Sequence, residues 1–229
     1  MIKLRPAEER GQFRIDWLDS RHTFSFGHYY DPRHMGLSSL RVINDDRVIP
    51  GAGFETHPHR DMEIISYILD GSIEHRDTMG NRTRLNAGEV QVMSAGSGIM
   101  HSEFNPEPEA PLHFLQIWIR PQQQGLRPSY VQKDFSDAKG VTLIVSPDGE
   151  SGSLKVHQDA RIYQLRLTGE RIELPLQTAR VHYLQIARGE LKLNGRVLRE
   201  GDGAIIEGES RLTIEADNPV EALLFDLAA

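Results

Sequence analysis

Residues 54–63 read FETHPHRDME and residues 98–105 read GIMHSEFN. His57 and His59 are two apart, and so are His101 and Glu103. Side chains two apart on a strand point to the same face. Each pair would then present two donor atoms together. Nitrogen and oxygen donors brought from two separate strands are what a divalent transition metal requires. A single H-x-H among ten histidines carries little weight, because chance supplies one about as readily as function does. The second pair shifts the balance. It follows the side-chain-poor run SAGSG at 94–98, where glycine lets backbone close on a cavity. Four candidate ligands in two such pairs favour a metal centre over exposed loop histidines and a solvated acid.

Composition limits the alternatives. Lysine and arginine number 26 against 33 acids, a formal net charge of −7 with no long basic run. Phosphate backbones need clustered positive charge, so nucleic acid is not an expected direct ligand. There is no cysteine, which removes disulfides, thiolate metal sites and cysteine nucleophiles. The opening MIKLRPAEERGQF has no apolar stretch of the signal-peptide kind, and no run approaches the roughly 20 apolar residues of a membrane helix. The expectation is a cytoplasmic protein that engages no membrane.

The elements that would position the four ligands read as strands. Short apolar runs such as MEIISYILDG, EVQVMSAG, LHFLQIWIRP and VHYLQIARGE recur between Gly, Pro, Asn and Asp. That rhythm predicts an all-β chain of many antiparallel strands with little helix. The polar stretch RPQQQGLRPSYVQKDFSDAKG interrupts it and reads as a linker, with room for a short helix. The halves on either side look alike: YILDGSIEH…RTRLNAGEVQVMSAG lies on YLQIARGELKLNGRVLREGDGAIIEG. Such self-similarity implies a duplicated unit. The expected organisation is a barrel over 1–122, a linker over 123–140 and a second barrel over 141–229.

Gly51, His57, Pro58, His59 and Gly71 resemble the first cupin motif, and Gly88, Gly98, His101 and Asn105 resemble the second. The place where that pattern carries a glutamate falls on Ile64, and Glu63 is one residue out of step. The resemblance then points to Glu103 as the carboxylate completing a three-histidine, one-glutamate set. With HTFSFGHYYDP, LRVINDD and GSLKVHQDARIY, the chain closely resembles the pirin family of bicupins, in particular its bacterial quercetin 2,3-dioxygenase branch. The fold implied is two jelly-roll (double-stranded β-helix) barrels. Aligning Gly189 with Gly71 places Pro175 and Gln177 where His57 and His59 stand, so the second barrel is expected to hold no metal.

The resemblance also implies the chemistry. It predicts one divalent transition metal per chain, with Fe(II) favoured and Cu, Ni, Co, Mn or Zn compatible with the same donors. The substrates would be a flavonol such as quercetin and O2, the ring opening with loss of carbon monoxide, and Glu103 would serve as catalytic proton acceptor. The alternative is a non-enzymatic, metal- and redox-responsive regulator that binds protein partners. Among the other histidines, His113 reads as a satisfied core residue, His182 as a structural strand residue, and His75 with Asp77 as a pair at a hairpin rim. His22, His28, His34 and His157 lie in turn-rich segments and receive no chemical role.

Overall fold

The computed structural model describes residues 1–229. It is built of antiparallel strands, and its only helices are two 3-10 turns, Ala7–Glu9 and Glu150–Gly152. The chain forms two compact units. One comprises residues 11–137 with 154–158, and the other comprises 1–10, 138–153 and 159–229.

The first unit has a large and a small sheet. The large one runs Ser129–Asp134, Glu89–Ser94, Glu63–Asp70, Leu112–Ile119, Leu40–Val48, Leu18–His22 and Gly11–Arg14. The small one runs Gly53–His59, Ile99–Phe104, Ser72–Asp77 and Arg82–Asn86. Alternating apolar residues of both sheets meet in one core, where Ile68, Leu112 and Phe114 of the large sheet touch Ile73 and Leu85 of the small one. Truncating a fully buried ring such as Phe114 to alanine would cost about 3–5 kcal/mol.

The second unit repeats the order. Its large sheet runs Ile2–Arg5, Gly203–Glu207, Val181–Arg188, Val220–Leu227, Ala160–Leu167 and Gly140–Ser146; its small sheet runs Glu170–Pro175, Arg211–Ala216, Glu190–Leu193 and Arg196–Arg199. The duplication extends to single turns. Gly71 and Gly189 have φ of 73° and 77°. A Cβ on either would sit 2.5 Å from a backbone oxygen, that of Pro111 or Pro219, so only glycine fits both corners, where the chain passes from the large sheet to the small one.

Two expectations need correction. The stretch 123–140 is not a linker, and no helix forms in it. Ser129–Asp134 is a strand paired along its length with Glu89–Ser94 as the edge of the first unit's large sheet. Its sparse alternation, anchored by Tyr130 opposite Met93, reflects an edge position with one wet face. Conversely, Ile2–Arg5 supplies the matching edge of the second unit rather than opening the first. The inward places of the second unit also differ by one residue from the glycine-based alignment. Pro175 and Gln177 are exposed, while Leu174 and Leu176 pack against the core. One extra residue in the loop before Val181–Arg188 accounts for the shift.

Candidate metal centre

Three of the four predicted ligands converge. On the small sheet His57 and His101 stand directly opposite each other across neighbouring strands. Between His101 and Glu103 the pairing slips, so that two steps on one strand face three from His57 to Phe54 on the other. This bulge at Glu55–Thr56 brings His57 Nδ1 within 2.6 Å of the Glu55 carbonyl oxygen. A carbonyl only accepts, so Nδ1 carries the proton and Nε2 keeps its lone pair. That Nε2 lies 3.0 Å from His101 Nε2. Donor atoms of His57, His59 and His101 all fall within 4.8 Å of one another.

The donor set suits a cation. Burial, followed by the charges of His101 and His57, lowers the His59 pKa to about 4. Burial, followed by the charges of His57 and His75, lowers that of His101 to about 3. Both imidazoles are therefore neutral at pH 7 and can offer lone pairs. Bonds of about 2.0–2.1 Å to a common ion require nitrogens roughly 3–4 Å apart, which this spacing approaches.

Glu103 stands apart from the three-histidine group. It joins a second set with His75 and His101, also within 4.8 Å. Its carboxylate accepts hydrogen bonds from Ser66 Oγ and Gln91 Nε2, both at 3.0 Å, and from Gln116 Nε2 at 3.5 Å. Glu63, the acid out of step, is occupied elsewhere by Ser94 Oγ at 2.7 Å and by the backbone and Nδ1 of His157.

Several histidines differ from their sequence reading. His75 is no rim residue: it is fully buried opposite Glu103, bonded to Asp77 at 2.9 Å and stacked on Tyr130. Its spacing with Asp77 repeats the period-2 signal of the ligand pairs, which is how the sequence could have revealed it. His22 and His28 line a cavity of about 340 Å³ whose wall also includes His57, His59 and Trp118. His113 is satisfied by Asp45 at 2.7 Å, as read, and His182 is a buried strand residue 3.6 Å from Asp226.

Two cupin-type barrels in one chain, one lined with histidine and one with leucine, define a bicupin. Residues 3–119 match the family model of pirin, and residues 143–227 match that of the quercetinase C-terminal cupin domain. The chain belongs to the pirin family. It is 49% identical over 228 residues to a quercetin 2,3-dioxygenase of Escherichia coli K12, covering 99% of each chain. It is 44% identical over 233 residues to a pirin-like protein of Caulobacter vibrioides, covering all of both. The crystal structure of the bacterial pirin YhhW from Escherichia coli in complex with nickel(II) matches with a TM-score of 0.96 at 48% identity, covering 100% of this chain and 99% of that one. No helix is long and apolar enough to cross a membrane.

Proposed function

We propose that the protein is a metal-dependent dioxygenase that opens the heterocycle of a flavonol such as quercetin with O2 and releases carbon monoxide. The observation that carries this reading is the convergence of His57, His59 and His101, the first two of which line an aromatic-walled cavity. The near-full-length likeness to a quercetin 2,3-dioxygenase supports it. His57, His59 and His101 would hold one divalent metal, with Glu103 as the carboxylate of the set; nickel(II), as in the YhhW complex, and Fe(II) both accept such donors. When bound, the metal supplies Lewis acidity toward a substrate hydroxyl and an open position for O2.

The chain's own residues do the rest. Phe26, Phe54 and Trp118 offer apolar faces that match a flat ring system and exclude water. Glu103 takes the proton of the flavonol 3-hydroxyl at a carboxylate oxygen. The donors Ser66 and Gln91 keep that oxygen in place before the transfer. Metal analysis of the protein as isolated, followed by O2 uptake and carbon monoxide release with a panel of flavonols, tests the proposal. One metal per chain with stoichiometric O2 uptake is expected. A fully metallated protein inert toward every flavonol would overturn the dioxygenase and favour the regulatory protein.

A further inference from the structure

The cavity has a second polar wall, on the large sheet, that the metal chemistry does not use. Strand Leu40–Val48 points Asn44 and Asp46 to one face, two residues apart. Ser20 is paired with Asp46 and His22 with Asn44 on the neighbouring strand. All four side chains line the same cavity as His57 and His59. Asn44 and Asp46 are each only 2% exposed.

These two are incompletely satisfied. Asn44 Oδ1 is buried and has no hydrogen-bond partner. Asp46 accepts one hydrogen bond, from Ser20 Oγ to Oδ1, and its Oδ2 receives none. Burial, reinforced by the nearby charges of Asp45 and Glu103 and partly offset by Ser20, pushes the Asp46 carboxyl up to about 7. An unpaired buried acceptor costs about 1–3 kcal/mol, and Asn44 Oδ1 is one, beside an Asp46 carboxyl with a single donor. Phe13, Phe26, Phe54 and Trp118 also line the cavity, beside the polar strip. A ligand that completes this wall is flat, apolar on its faces and carries hydroxyl donors on its edge. The cavity's 340 Å³ falls at the small end of the roughly 300–1,000 Å³ of ligand pockets.

We propose that Asn44 and Asp46 are the residues that recognise a polyhydroxylated aromatic substrate, each accepting a hydrogen bond from a phenolic hydroxyl. This deepens the flavonol reading and rests on it for the identity of the substrate, but the wall itself asks only for a phenolic ring. Neither residue is a metal ligand candidate, and neither need touch the bond that breaks. They fix which edge of the ring enters and reject rings whose hydroxyls are capped.

The test is equilibrium binding without O2, read by quenching of tryptophan fluorescence on the metal-loaded chain. Quercetin is compared with its O-methyl ethers, and catechol with its dimethyl ether. The unaltered protein is expected to prefer free hydroxyls roughly 10- to 100-fold, the range for hydrogen bonds to a charged acceptor. Asp46→Asn and Asn44→Ala should each shrink that preference toward unity while metal content stays at one per chain. Equal affinity of the unaltered chain for phenols and their ethers would overturn the inference, and that arm is immune to a variant that misfolds. Variants that keep the full preference would overturn it too and leave the flavonol reading standing. Hydroxyl-selective binding of catechol with no binding of any flavonol would support the recognition wall and remove the flavonol. Binding of neither class would remove both.

Discussion

The two small sheets of this molecule share strand order and differ at the places that matter. In the first unit His57 faces His101 and His75 faces Glu103. In the second, Leu174 faces Leu212 and Leu193 faces Ile214. Leu193, Leu212 and Ile214 are fully buried in a core that also includes Leu191, Leu198 and Ile206. The first unit keeps a cavity and a dense set of buried polar groups instead, among them Ser66, Gln91, Glu103 and Gln116. One architecture thus carries either a packed aliphatic interior or a donor set. The choice lies in a handful of inward-facing side chains rather than in the course of the backbone. Where the second unit gains apolar burial, the first gives it up for chemistry.

The largest expected effect comes from copying one interior into the other. His101→Leu, the residue at the corresponding place being Leu212, should take bound metal from one per chain to none and abolish turnover. Unfolding of the metal-free chain should show no loss of stability, because His101 Nδ1 is buried without a partner and its removal relieves that cost. Titration of the metal-stripped unaltered chain should saturate at one equivalent; two equivalents would break the comparison outright. Next in size, Glu103→Gln should lower the rate roughly 10²–10⁴-fold, the usual range for a lost proton acceptor. Metal occupancy must be measured on the same sample, and a loss fully explained by missing metal would reduce Glu103 to a ligand.

A change confined to the leucine interior should do the converse. Leu212→Ala is expected to cost about 2–5 kcal/mol in denaturant unfolding while leaving metal content per folded chain unchanged. The smallest effect concerns Asp46. Its folded value of about 7 lies above the ordinary 3.8, so between those pH values the folded chain keeps a proton that the unfolded chain has lost. Stability from this group is therefore present at low pH, falls as pH rises through that window, and levels off above it. Asp46→Asn should raise stability at pH 8 by on the order of 1–3 kcal/mol and have little effect at pH 4. No difference between the two pH values would show that the carboxyl is well solvated.

The candidate pairs were legible because alternation is a property of single strands: His57 with His59 and His101 with Glu103 needed nothing beyond period two to be singled out. The second cupin was legible from glycine-bounded strands such as those meeting at Gly71 and Gly189, whose φ values only glycine adopts freely. What stayed hidden depended on partners across the sheets. His75 looks like a hairpin residue until Glu103 is placed opposite it. Asn44 and Asp46 sit in a run, LRVINDD, where Val42 shares their face, and the switch to polar residues on an inward face was the available signal. The strand Ser129–Asp134 was lost because an edge strand with few apolar residues has almost no periodic signature of its own.

The pairing of Ile2–Arg5 with Gly203–Glu207 has a consequence for how the chain is made. Ile2–Arg5 belongs to a sheet whose receiving edge is synthesised some 200 residues later, on the order of 10–40 s afterwards at usual elongation rates. The intervening unit can fold on emergence, but Ile2–Arg5 must wait, unpaired, until Gly203–Glu207 arrives. A translation product that stalls before residue 203 would be stranded in that state, inviting strand addition by another chain or capture by a holding chaperone.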